Sequence, residues 1–194
     1  MRSPKRMADR SSRDLSIRAL TLQRTPSVYP GSRPDGVAEP MRKGNAMSVE
    51  ENKAVVGRWF TQFWGTEFNP DVIDELAHPD IRFEYSLHAP LRGRDAVRAF
   101  AGKFRAAFPD LNFWGNDDLI AEGDYVVGQW EGGGTHTGDP FDDMPVGSLP
   151  ANTGKVVRFT GTTVLKVENG LITEEIGLDD GVTALSQLGL ITQA

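Results

Sequence analysis

Apolar and polar positions alternate most regularly in the last third of the chain. Across 156–168, Val157, Phe159, Gly161, Thr163, Leu165 and Val167 share one parity, while Arg158, Thr160, Thr162 and Lys166 share the other. Side chains alternate faces along a strand, so this stretch predicts a long strand with one wetter face. Asn169-Gly170 follows, the pair that best tolerates the positive φ needed at both central positions of a type I′ turn. Residues 171–178 return as a second strand. They run into Asp179-Asp180-Gly181 and a short helical pattern over 182–188. Two carboxylates therefore stand where a sheet ends and a helix begins, a plausible edge for acid/base chemistry.

Upstream, Ser48-Val49-Glu50-Glu51 has the form of a capping box. Val55, Val56, Trp59, Phe60, Phe63 and Trp64 follow at helical spacing and predict an amphipathic helix ending near Gly65. Asn69-Pro70 opens a second, shorter helix with Val72, Ile73 and Leu76 on its apolar face, ended by His78-Pro79-Asp80. Residues 81–85 alternate as a strand. A third helix covers 94–108, with Val97, Phe100, Ala101, Phe104, Ala107 and Phe108 at helical spacing and Pro109 as its stop. Residues 111–121 and 125–133 read as paired strands. Helix, helix, strand, helix, four long strands and a short helix make an α+β order, not an alternating one. The expected architecture is a curved antiparallel sheet wrapped on the N-terminal helices, leaving a cone-shaped pocket. The connection 139–154 carries Phe141, Met144 and Leu149 and is long enough to serve as a lid.

Charge divides the chain in two. The first 46 residues hold ten Lys/Arg and four acids, a net +6; the remainder carries −12. The basic stretch is rich in Ser and Pro and poor in aromatics, so residues 1–47 are expected to form a disordered extension before a domain at 48–194. It lacks the apolar core of a secretory signal, and Met47 is a sensible alternative start. The acidic body disfavours a nucleic-acid groove. No apolar run approaches the ~18 residues of a membrane helix. The chain has no cysteine, which excludes disulfides and thiolate chemistry and fits a cytoplasmic protein.

The candidate chemistry is sparse. Asp179 and Asp180 both suit a helix N-cap; Asp180 could instead be a buried acid/base, with capping or solvent left to Asp179. His136 follows three glycines and reads either as a structural residue or as a hydrogen-bond donor to a carbonyl. His88 could line a pocket mouth, and His78 reads as a surface residue. The histidines lack metal-ligand spacing, and the glycine run lacks the Lys-Ser/Thr and helix of a phosphate loop, so no metal or cofactor is expected. No nucleophile elbow for serine hydrolysis is present. Trp59, Phe63, Trp64, Phe83, Tyr85 and Trp130 read mainly as core, with one or two free to receive a flat ring.

Several short stretches then match one pattern in order. They are Ala107-Phe108-Pro109-Asp110-Leu111, Ala121-Glu122-Gly123-Asp124, Gly134-Thr135-His136-Thr137-Gly138, Thr153-Gly154-Lys155, Phe159-Thr160-Gly161 and Gly170-Leu171-Ile172-Thr173-Glu174-Glu175. Together they resemble the SnoaL-like polyketide (ester) cyclases of the nuclear-transport-factor-2-like superfamily. The resemblance implies a cofactor-independent enzyme closing a ring by intramolecular aldol condensation. It implies an acid/base at Asp180, near the end of the last strand, with His136 in the same pocket. His88, Tyr85, Trp130, Trp59, Phe63 and Phe141 are the expected substrate contacts. A small-molecule substrate and a homo-oligomer, dimer or tetramer, are expected as partners. The chain departs from the family pattern in its longer loop after Gly138, and in Ile176 and Asp179 where Trp is frequent. The same fold also hosts isomerases, dehydratases, hydrolases and non-catalytic binding proteins, so the family pattern leaves those alternatives open.

Overall fold

The computed structural model describes residues 47–192, and the basic extension expected over 1–47 lies almost wholly outside them. Helix α1 (Val49–Trp59) starts at the expected capping box, with Ser48 accepting from the Glu51 amide and Glu51 from the Ser48 amide. Its last residues pass directly into a π-helical turn, Phe60–Trp64. Arg105 holds the end of that turn, donating to the carbonyls of Phe63 (2.7 Å) and Gly65 (3.0 Å). These carbonyls have no helical partner of their own.

Helix α2 (Val72–Leu76) is followed without a break by strand β1 (Ala77–Glu84). His78-Pro79-Asp80 was expected to close the helix but belongs to the strand. Then come β2 (Leu91–Arg92) and α3 (Arg94–Ala107), the latter within a residue of its expected span. The expected strand over 111–121 is two strands, β3 (Asn112–Gly115) and β4 (Ile120–Glu122). Both pair with β5 (Tyr125–Thr135). The ribbon of β6 (Val156–Glu168) and β7 (Leu171–Asp179) follows, and α4 (Gly181–Gln187) closes the domain. Asn169 and Gly170 both have positive φ, 52° and 81°, as their turn requires.

The seven strands form one sheet in the order β2-β1-β7-β6-β5-β3, with β4 also on β5. It is antiparallel except where β1 runs parallel to β7, so the all-antiparallel expectation holds for every pair but that one. β1 reaches β7 through α3 and the rest of the chain, a connection long enough for a parallel neighbour. One face of the sheet is covered by the helices, and the odd-numbered residues of β6 point into that covered side. The core there is largely aromatic. Phe63 stacks on Trp59 with centroids 4.3 Å apart, and Trp64 packs edge-on to Phe113 at 5.4 Å.

Candidate active site

The register of the β6–β7 ribbon decides which carboxylate faces inward. Near the turn, Glu168 pairs with Leu171 and Val167 with Ile172. Beyond that the pairing shifts by one, so that Lys166 opposes Glu174 and Gly161 opposes Asp179. Thr173 is the extra residue of a β-bulge. Directly opposed residues share a face, and a one-residue slip exchanges the faces of everything beyond it. Glu175, Gly177 and Asp179 therefore point to the covered side, and Asp180 does not.

The covered side encloses a cavity of about 620 Å³ of empty space, its open mouth included. Aromatic rings form most of its wall, among them Trp64, Phe100, Phe104, Phe113, Trp130 and Phe159. Two glycines make room for the rings. A Cβ on Gly177 would stand 2.1 Å from Tyr85 Cε1, and one on Gly161 would stand 2.2 Å from Trp130 Cζ2. The polar side chains on the wall include Asp179, His88, Tyr85 and Asp143.

Asp179 accepts from the Ser86 hydroxyl (3.2 Å) and the Leu87 amide (3.3 Å), both through Oδ2. Its Oδ1 is buried with no partner. Burial pushes the carboxyl up to about 6, the Ser86 and Leu87 hydrogen bonds pulling the other way. His88 holds the Ala89 carbonyl at 2.8 Å through Nδ1. A carbonyl only accepts, so Nδ1 carries the proton and Nε2 presents a lone pair. That Nε2 is likewise buried without a partner. Burial lowers the His88 pKa, which keeps the ring neutral. The ring itself is wedged against Phe100 at 4.3 Å and Phe83 at 5.5 Å.

Below the cavity lies Glu175, with no exposed surface. Its carboxylate accepts from Trp59 Nε1 (2.7 Å), Trp64 Nε1 (2.9 Å) and the Tyr85 hydroxyl (2.6 Å). Two tryptophans five apart lie on different sides of an α-helix of about 3.6 residues per turn. The π-helical turn, with its i→i+5 repeat, brings both indoles onto one carboxylate. Burial pushes Glu175 up to about 7 despite these three donors.

The two residues expected to carry the chemistry stand elsewhere. Asp180 is exposed and caps α4, accepting from the Thr183 amide at 3.1 Å. That contact holds its carboxyl below the usual range. His136 is completely buried and is not on the cavity wall. Its Nδ1 accepts from the Thr153 amide (3.3 Å), which forces the proton onto Nε2, and Nε2 donates to the Asp139 carbonyl (2.8 Å). His136 thus ties together the two feet of the 139–154 connection. That connection is a built arch rather than an open lid. Phe141 and Leu149 exchange backbone hydrogen bonds across it, and Lys103 pairs with Asp142.

Of the expected substrate contacts, His88, Tyr85, Trp130 and Phe141 line the cavity. Trp59 and Phe63 do not; they are core, buried against Glu175 and each other. Asp179, on the cavity wall, and Glu175, buried behind it, are not among the expected site residues. The inward parity of β6, carried across the ribbon, is the signal for both, but only once the bulge at Thr173 is known. Among the described residues, no three His, Asp or Glu side chains converge as metal ligands would. No helix among them is long and apolar enough to cross a membrane.

Comparison with known proteins gives a consistent result. The family model of the SnoaL-like polyketide cyclases matches residues 54–188. A SnoaL-like polyketide cyclase candidate from Jannaschia sp. CCS1 shares 21% identity, covering 81% of this chain and 100% of that one, with a TM-score of 0.62. A polyketide cyclase candidate from Bacillus cereus ATCC 10987 shares 25% identity over 73% of this chain and 83% of the other, with a TM-score of 0.57. A protein of ketosteroid isomerase-like fold from Catenulispora acidiphila DSM 44928, solved with trimethylamine, shares 18% identity over 71% and 93%, with a TM-score of 0.55. No curated protein matches the chain.

Proposed function

This chain belongs to the SnoaL-like polyketide cyclase family, and from that premise we propose that it is a cofactor-independent acid/base enzyme acting on a flat, largely apolar carbonyl compound, with Asp179 as its acid/base. The observation that carries this reading is the pair of buried, unpartnered polar atoms, Asp179 Oδ1 and His88 Nε2, on an otherwise aromatic wall. Buried polar atoms are nearly always satisfied, so two orphans on one cavity wall are explained by a ligand that completes them.

The proposed reaction is ring closure by intramolecular aldol condensation. Ionised Asp179 removes a proton from the carbon next to a carbonyl. The resulting enolate carbon forms a bond to a second carbonyl carbon of the same molecule, whose oxygen becomes an alkoxide. Protonated Asp179 then returns its proton to that alkoxide, and the carboxylate is regenerated with no net gain or loss. A carboxyl near 6 is ionised at neutral pH yet basic enough to take a proton, which suits it to both steps. His88, neutral and with its lone pair on Nε2, accepts a hydrogen bond from a substrate hydroxyl or enol and so fixes the ring. Trp130 and Tyr85 stack on it, and the arch over Phe141 and Met144 excludes water.

Exchange of the α-protons of 2-tetralone for deuterium in heavy water, followed by proton NMR, tests the reading without knowledge of the natural substrate. Exchange well above the buffer rate, lost in Asp179→Asn, is the expected result. Exchange at the buffer rate alongside saturable binding would make the chain a small-molecule binding protein.

We also infer self-association through the outer face of the sheet. Ile120, Val127, Val164 and Ile176 are successive register partners across four strands, with Leu178 beside them. Ile120 is 73% exposed and Leu178 75%. An exposed apolar row of this kind is characteristic of an interaction surface. A monomer by light scattering at high concentration would refute the inference.

A further inference from the structure

Under the cavity floor, the Glu175 carboxyl, the Tyr85 and Thr163 hydroxyls and three indoles form one polar cluster. Trp59, Trp64 and Trp130 contribute indole N–H groups, which only donate. Trp130 Nε1 donates to Thr163 Oγ1 at 2.8 Å, and Thr163 Oγ1 lies 3.1 Å from the Tyr85 hydroxyl. Tyr85 in turn lies 2.6 Å from Glu175 Oε1.

When Glu175 is ionised it only accepts. Tyr85 then donates to it, Thr163 donates to Tyr85, and one lone pair of the Tyr85 oxygen is left over. When Glu175 is protonated, its new O–H needs an acceptor, and neither indole is one. The Tyr85 oxygen is the acceptor within reach, so it takes hydrogen bonds from both Glu175 and Thr163. Its own proton then has no protein partner. Turning that proton toward Thr163 only moves the surplus, since the Thr163 hydroxyl makes no other side-chain hydrogen bond.

We propose that Tyr85 and Glu175 form a two-state hydrogen-bond switch at the floor of the cavity: with Glu175 ionised, Tyr85 offers a ligand a lone pair, and with Glu175 protonated it offers its O–H. The protonated form recognises a carbonyl or enolate oxygen, an acceptor that His88 Nε2 and ionised Asp179 both repel. Tyr85 is then the residue that meets the oxygen on which charge develops. The inference rests on the proposed reading for its assumption that the cavity is the substrate site.

Other titrating groups face this cluster. Asp179 lies four residues beyond Glu175 on the same strand, His88 packs 5.7 Å from the Tyr85 ring, and Asp143 reaches the cavity from the arch. α1 and the π-helical turn present only the neutral indoles, β5 only Trp130, and β6 only Thr163. Burial lowers His88, away from the window around 7 where Glu175 titrates. Asp179 titrates closer and must be removed from the test.

The experiment is therefore done on the full chain carrying Asp179→Asn. Binding of 2-acetonaphthone, whose oxygen can only accept, is followed by quenching of tryptophan fluorescence as the pH falls through that window. Its affinity should rise about three- to tenfold, the worth of one hydrogen bond. 2-Methylnaphthalene, without an oxygen, should show no rise. Adding Tyr85→Phe should flatten the 2-acetonaphthone response. A response that survives Tyr85→Phe, a flat response in the Asp179→Asn chain, or no binding would overturn the switch. The α-proton exchange assay reports on Asp179 independently. Wild-type exchange at the buffer rate, or exchange that Asp179→Asn leaves unchanged, with a retained Tyr85-dependent response would sink the acid/base reading alone; wild-type exchange that Asp179→Asn abolishes, without a Tyr85-dependent response, would sink the switch alone.

Discussion

Replacing Glu175 with glutamine should make the stability difference from wild type depend on pH, and its sign and size follow from the burial of one carboxyl. In the folded chain Glu175 titrates at about 7, against an ordinary value of 4.5, because burial disfavours its charge. A folded-state pKa that is raised means that the folded chain binds the proton more tightly than the unfolded one. The stabilisation is therefore complete below about 4.5, is lost as pH rises toward 7, and is flat above that. The gap corresponds to about 3 kcal/mol. Glutamine does not titrate, but it places one NH2 and one oxygen before three donors. Whichever way the amide turns, at least one of Trp59, Trp64 and Tyr85 loses its acceptor, at about 1–3 kcal/mol. Glu175→Gln should thus be about 1–3 kcal/mol less stable than wild type in acid and as stable as wild type, or more so, above pH 7. Asp179 also loses stabilisation as pH rises, but it does so in both proteins and cancels in the difference. Urea unfolding followed by tryptophan fluorescence at a series of pH values gives that difference directly. A wild-type-minus-variant stability that stays constant from pH 4.5 to above 7 would refute the argument.

Gly177→Ala would push a methyl into the Tyr85 ring at 2.1 Å. It should destabilise by about 1–3 kcal/mol, measured by urea unfolding, and weaken binding of aromatic ketones. His136→Ala releases both feet of the arch and should cost about 1–3 kcal/mol. Limited proteolysis should then show new cleavage within 139–154, whereas an unchanged pattern would deny His136 that role. Turnover should rise with pH through about 6 as Asp179 ionises, and in Asp179→Asn that limb of the profile should vanish.

Much of this arrangement could be read from the residues. The capping box at Ser48–Glu51, the aromatic stripes of α1 and α3, the parity of β6 and the Asn169-Gly170 turn are local features, set by spacing and φ preference. What escaped the sequence depends on partners distant in the chain. A regular two-residue hairpin would put Asp180 opposite Phe159, on the covered face, and the one-residue bulge at Thr173 gives that face to Asp179 instead. Nothing in Thr173 itself announces a bulge. The residues at 77–80 extend as strand because Ala77 pairs with Ile172, a parallel contact that local periodicity cannot show. Glu175 ends one of the stretches that carry the family resemblance, but nothing in that stretch marks a buried carboxyl, and only the π-helical turn makes Trp59 and Trp64 its common donors. His136 stands out in the sequence as a histidine after a glycine run, but its role is set by Thr153 and Asp139, which close on it from both sides.

The most direct test of the account compares Asp179→Asn with Asp180→Asn in the 2-tetralone exchange assay, each variant first shown to fold by circular dichroism. Adjacent in sequence and identical in chemistry, the two carboxylates differ in which way the bulge turns them. With Asp179 as the acid/base, Asp179→Asn should lower exchange by about 10²–10⁴, the usual contribution of a general acid/base, while Asp180→Asn keeps wild-type exchange. Full exchange in Asp179→Asn, or the large loss falling on Asp180→Asn, would contradict that role.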